Sequence, residues 1–213
     1  MFFENVLSFL FPNKCILCKK YGEVICDNCI KRIEKYEHTD IINFKNKNLN
    51  SLIYFFKYEK LIRRLILQYK FFNKSVISEV FAKIILKNEK ICGKLKFYDI
   101  IISVPMHKTK KQARGYNQTE LISKTIAKNL QITYNSNALI KTVNNKRQSS
   151  LNLENRINNV KNVFKLTDEQ SVKNKNVILV DDIYTTGATL EGCAKILKQA
   201  GAKNVLGLVI AKD

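Results

Sequence analysis

Residues 177–189 read VILVDDIYTTGAT, and few folds can use that order of residues. An apolar run leads without a break into two adjacent carboxylates, Asp181 and Asp182. Such a run predicts a strand buried on both faces, as in a parallel sheet. The small and hydroxylated residues Thr185, Thr186, Gly187, Ala188 and Thr189 then predict a tight turn, and residues 190–200 have helical character. A helix N-terminus after a turn of small residues offers backbone N–H groups and the positive end of the helix dipole to a phosphate. Two carboxylates at the strand's end can accept hydrogen bonds from a sugar diol or hold a metal ion. Phosphate on one side and diol on the other describe a ribose 5-phosphate. The competing reading is an ordinary strand–turn–helix connection in which Thr185 or Thr186 only caps the helix. A cap alone explains neither the acid pair nor the whole turn.

Other segments repeat the alternation. Strand patterns occupy residues 52–58, 99–104, 138–143 and 205–210. Helical spacing marks 61–69, where Lys60, Arg63, Arg64 and Lys70 stand off the apolar stripe, and predicts helices over 75–88 and 118–130, the last capped by Asn117. Strands alternating with helices imply an α/β, doubly wound and mainly parallel sheet with ligands at its carboxyl edge. Residues 105–118 follow one of the buried strands directly and carry Lys108, Lys110, Lys111 and Arg114 with no acid among them. Cations fixed at a strand end suit a polyanionic ligand, with Lys108 and Arg114 the leading candidates and His107 behind them. The alternative is a solvated basic loop. Aromatics alternate with lysines at 54–58 and 69–74, a composition that fits a stacking platform for single-stranded nucleic acid but is favoured as core.

Near the start, Cys15 and Cys18, then Cys26 and Cys29, form two C-x-x-C pairs separated by seven residues. Two such turns complete a tetrathiolate zinc site, with a small hairpin between them and Gly22 at its tip. Disulfides and a redox pair are the competitors. With all four positions filled by protein, the metal would be structural. Cys92 and Cys193 stand alone and read as small buried residues.

At 213 residues the chain suffices for one substantial core and a small appendage. No stretch approaches a membrane span, and the apolar residues 1–11 lack the basic leader and cleavage site of a signal peptide. They predict an amphipathic helix packed on the body, and the cysteine usage points to the cytoplasm. The net charge of +19 is spread along the chain rather than gathered in a tail. A positive field of that size attracts nucleic acid or phosphorylated substrates, so the charge permits a DNA partner without requiring one.

Residues 177–189 resemble the 5-phosphoribosyl pyrophosphate (PRPP) motif of type I phosphoribosyltransferases. That resemblance implies that Asp181 and Asp182 contact the ribose hydroxyls while Thr185, Thr186, Gly187, Ala188 and Thr189 wrap the 5-phosphate. Taken with the cysteine pairs, the 58–69 helix, Val104-Pro105-Met106-His107 and Arg114-Gly115-Tyr116-Asn117-Gln118, nearly the whole chain resembles the ComF family. The family implies a type I phosphoribosyltransferase fold with a small N-terminal zinc ribbon, divided here as residues 1–45 and 46–213. It also implies a role in taking up transforming DNA. The stretch 147–151 with Arg156 and Asn159 resembles the family's further Arg/Gln segment, a mobile flap or a plain exposed loop. As an enzyme the chain would use PRPP with Mg²⁺, with His107, Lys108 and Arg114 on the pyrophosphate. The 6-oxopurine members place an Asp where this chain has Thr185, which disfavours purine salvage. The alternative is a non-catalytic PRPP- or nucleotide-binding module that binds single-stranded DNA and works with a helicase-like competence ATPase.

Overall fold

The run at 177–180 becomes the centre of β7 (Asn176–Tyr184), whose residues 177–180 are fully buried. β7 lies between two other parallel strands, β8 (Asn204–Lys212) and β3 (Ile100–Ser103). The six-stranded sheet runs β1 (Glu37–Asn43), β2 (Ser51–Lys57), β8, β7, β3, β4 (Thr133–Tyr134). From β2 to β4 every pairing is parallel, as uninterrupted apolar strands require. This computed structural model describes residues 13–71, 75–143 and 163–213. The apolar opening segment and the 147–159 stretch, expected as a helix and a flap, lie outside the described residues.

Helices cover both faces, as the alternation predicted. α7 (Ala188–Gln199) packs against β7 and β8 through Leu190, Cys193, Ala194 and Leu197, which join Ile100, Ile102, Val177, Leu179 and Val205 in one apolar cluster. α6 (Gln118–Leu130) contacts β3 and β7, where its Ile122 and Ile126 are buried. α2 (Lys60–Phe71) and α3 (Ile77–Lys87) bury their apolar stripes, and α4 (Glu89–Leu95) starts where the Asn88 side chain accepts from Ile91 N. The aromatic residues Tyr54, Phe55 and Phe56 are buried, and Phe56 meets Phe81 edge-on. They are core, not a stacking surface.

Four features differ from the sequence reading. The 105–118 segment is not one loop: it contains a short helix, α5 (Lys108–Arg114), capped by the His107 side chain and ended by Gly115 in the left-handed conformation. Its seven residues bury nothing, so no apolar period marked it. The 138–143 strand is β5 (Leu139–Lys141), which leaves the main sheet to pair antiparallel with β6 (Phe164–Leu166). The cysteine hairpin turns at Cys15–Lys20 rather than at Gly22: Lys14 bridges Tyr21, and Cys15 N donates to Lys20 O. Finally, the chain falls into two compact units, residues 1–37 and 38–213, and β1 belongs to the sheet.

Candidate functional site

β7 outruns β3. The ladder between them ends at Ser103 and Val180, while β7 pairs with β8 as far as Tyr184. Past Val104 the chain turns away at Pro105, which has no N–H for a further rung. Asp181 and Asp182 therefore sit inside β7 and not beyond its end, with one strand edge open above them. A cavity of about 780 Å³ fills that opening.

Successive strand residues point to opposite faces, so the two acids differ. Asp182 turns toward α6 and α2. Its Oδ2 accepts from Gln118 Nε2 at 2.6 Å, and Lys70 Nζ lies 2.9 Å from Oδ1 and 2.8 Å from Oδ2. Asp181 shares the parity of Val177 and Leu179 and lies on the α7 side, close enough to Cys193 and Lys141 to perturb their charge states. Withdrawal from solvent, and then the charge of Asp182, push the Asp181 carboxyl up to about 7. Burial lowers the Lys141 ammonium, helped by Lys110 across the cavity.

The basic rim comes from α5 and its flanks. His107, Lys110 and Arg114 line the cavity with the acids and Thr189. Lys108 does not: it is exposed on α5, and Lys110 occupies the wall instead. Arg114 donates to Gln118 Oε1 in a short hydrogen bond and lies over the exposed Phe71 ring at 5.5 Å. Thr185, Thr186 and Gly187 make the turn into α7, with Thr185 and Thr186 exposed. Gly187 is the N-cap, at φ 77° and with no side chain to cap the helix, and in the first turn Ala188 N donates to Thr186 Oγ1 at 3.4 Å. A Cβ at Gly187 would collide with the Tyr184 phenol, so only glycine fits both the angle and the space.

A phosphoribosyl transferase domain model matches residues 116–212, which hold α6, the acid pair and the turn into α7. Competence protein F of Haemophilus influenzae is 27% identical over 206 residues, 95% of this chain and 84% of its own length. The DNA utilization protein YhgH of Escherichia coli O157:H7 is 32% identical over 145 residues, 66% of this chain and 63% of its own. Competence protein ComFC of Streptococcus pneumoniae is 27% identical over 188 residues, 88% of this chain and 80% of its own.

The chain is similar to the competence proteins F and ComFC along most of its length, and its residues 116–212 are a phosphoribosyl transferase domain. Its fold is that of the type I phosphoribosyltransferases, and the cysteine cluster near the N-terminus is compatible with a zinc ribbon. The four sulfurs of Cys15, Cys18, Cys26 and Cys29 lie within 4.8 Å of one another. A tetrahedron of Zn–S bonds of about 2.3 Å has sulfur–sulfur edges of roughly 3.8 Å, and Cys18 and Cys26 are 3.6 Å apart. Cys26 caps α1 (Asp27–Glu34), whose first turn carries Cys29. Burial opposes ionisation of Cys15, yet backbone N–H groups of Cys18, Cys26 and Leu17 hold its thiol down to about 6. Burial and then the other three sulfurs push Cys29 up to about 12, a crowding that a divalent cation relieves. The donor set fits zinc.

Sequence reasoning gave no site role to the cavity residues Lys70, Lys141 and Gln118, the last read as the start of a helix. Lys70 stood off the apolar stripe of its helix, which reads as a solvated position. Lys141 ends a three-residue strand too short to show a period. The only available signal for Lys70 was its place beside Tyr69, the last apolar residue of the stripe. Among the described residues no helix is long and apolar enough to cross a membrane.

Proposed function

We propose that this protein acts as a member of the ComF family, binds PRPP at the open edge of β7 and transfers its phosphoribosyl group to a nitrogen acceptor, in the service of DNA uptake. The observation that carries the reading is one cavity in which the acid pair, Thr189 at the helix N-terminus and the cations Lys110 and Arg114 meet. Asp181 and Asp182 would take the ribose hydroxyls, and the turn from Thr185 to Thr189 would take the 5-phosphate. Arg114, His107 and Lys110 would receive the pyrophosphate, with Lys108 at the outer edge of α5.

Transfer breaks the bond from C1 to the pyrophosphate oxygen and forms one from C1 to the acceptor nitrogen. The departing oxygen carries negative charge while the sugar approaches an oxocarbenium ion. Fixed charge therefore does most of the work: carboxylates near the sugar and cations near the leaving group both stabilise the transition state more than the ground state. The hard oxygens of the acid pair and of the ligand suit Mg²⁺, which would supply further neutralisation on the pyrophosphate. Zinc at the four cysteines would be structural, since no coordination position is left for a substrate. The names of the relatives, competence protein and DNA utilization protein, support the DNA-uptake role.

The test is pyrophosphate release from PRPP across a panel of bases and amines, with and without the double change Asp181→Asn/Asp182→Asn. Release that depends on one acceptor and falls at least a hundredfold in the double variant is the expected result. PRPP binding without release under any acceptor would convert the reading to a ligand-binding module. Absence of both would remove it.

A further inference from the structure

Lys70 holds more of Asp182 than a surface ion pair would. The last turn of α2 is fastened from two sides. Tyr69, fully buried, donates its phenol to Gln118 O at 2.6 Å, and the Tyr116 phenol donates to Tyr69 O in a short bond. The two rings stack at 5.7 Å. From this fixed end Lys70 reaches both oxygens of Asp182, and Gln118 adds a third donor to Oδ2. A carboxylate has about four acceptor positions, so three donor contacts leave little for a sugar diol.

Gln118 is a fixed member of this set. Its Oε1 accepts from Arg114 and its Nε2 donates to Asp182, which sets the amide's orientation and keeps the carboxylate partnered on one side. Lys70 is the movable member. Its ammonium sits on a flexible four-carbon stem with rotatable donors, its side chain is 20% exposed, and it lines the cavity shared with Lys110 and Arg114.

We infer that Lys70 is a partner-exchanging positioning residue: a ligand carrying both a diol and a pyrophosphate displaces its ammonium from Asp182 and takes it up on a phosphate oxygen. The inference rests on the reading of the cavity given above. One ligand supplies both the group that removes Lys70 and the group that receives it, so a diol alone is resisted and an anion alone is welcomed. Asp182 stays partnered by Gln118 throughout, and no buried charge is left bare.

The consequence is a pair of opposite effects, read by calorimetry with ribose 5-phosphate and with inorganic pyrophosphate, magnesium held constant. Lys70→Met should bind ribose 5-phosphate several-fold tighter and pyrophosphate about tenfold weaker, the size expected for a lost charge-assisted hydrogen bond. Lys70→Arg should restore pyrophosphate binding. A lysine with only a structural role would weaken both ligands on removal, and that result, or no change in either, overturns the inference. A second measurement needs no variant. In the wild-type protein, saturating pyrophosphate should tighten ribose 5-phosphate, and by reciprocity the converse; mutual weakening overturns the exchange. Wild-type protein that binds neither ligand would instead remove the PRPP reading itself, and this inference with it.

Discussion

Asp181 is an ionisable group placed where ionisation is unfavourable. Burial, and then Asp182, raise its carboxyl, while the backbone N–H of Asp182 and the ammonium groups of Lys70 and Lys141 oppose the shift. Its pKa is about 7 in the folded chain, against about 3.9 in an unfolded one. The folded state therefore binds the proton more tightly between those values. Stability linked to this group is complete below about pH 4, declines as pH rises toward 7, and is constant above. Asp181→Asn removes the penalty: its melting temperature should exceed the wild type's at pH 8, by about 1–2 kcal/mol of stability after discounting for the partial exposure of the site. The gap should close near pH 4. Thermal melts at several pH values check this, and a pH-independent gap would refute it. The motif announced Asp181 because adjacent acids beside a turn are rare without a use. It could not announce that the two acids face opposite sides of the sheet, because that depends on β7 continuing to Tyr184.

Among the elements, legibility followed apolar period and capping. α6 was read to its ends because Asn117 caps it, accepting from Thr119 N, and its stripe is regular. β7 and β8 were read from continuous apolar runs. α5, whose seven residues include Ala113 as the single apolar one, and β4, with two residues, offered no period at all. They exist because neighbours and caps hold them, an instance of context overriding local pattern. The junction of α2 with α6 was also invisible, since it is made by tyrosine hydroxyls meeting backbone carbonyls from distant segments. Tyr69→Phe tests that junction. It deletes the bond to Gln118 O while keeping the ring, and should cost about 1–2 kcal/mol, with a buried carbonyl left without that donor. The same change should loosen Lys70 and reduce its effect on ligand binding. A melt indistinguishable from wild type would show that the hydroxyl contributes nothing.

For the molecule as a whole, the chain divides into two units of very different size. Residues 38–213 bury a sheet between helices. Among the described residues of the unit 1–37, Ile16, Ile25 and Ile33 are buried and the four sulfurs stand where a metal ion would tie them together. Purified protein should carry about one zinc per chain by elemental analysis, and Cys26→Ser should lower that content severalfold. Full occupancy in the variant would exclude the tetrathiolate assignment. The larger unit suggests a different lesson through the strand that extends past its neighbour. The acid pair rests on a paired segment of sheet backbone, and such a base cannot adapt its shape as a surface loop does. Under the proposed transfer, any change of acceptor would therefore be made in the surrounding walls: the end of α2 with Phe71, the Met106–Ala113 side, and β5. Swapping those walls between relatives should transfer preference and leave the sugar's seat untouched.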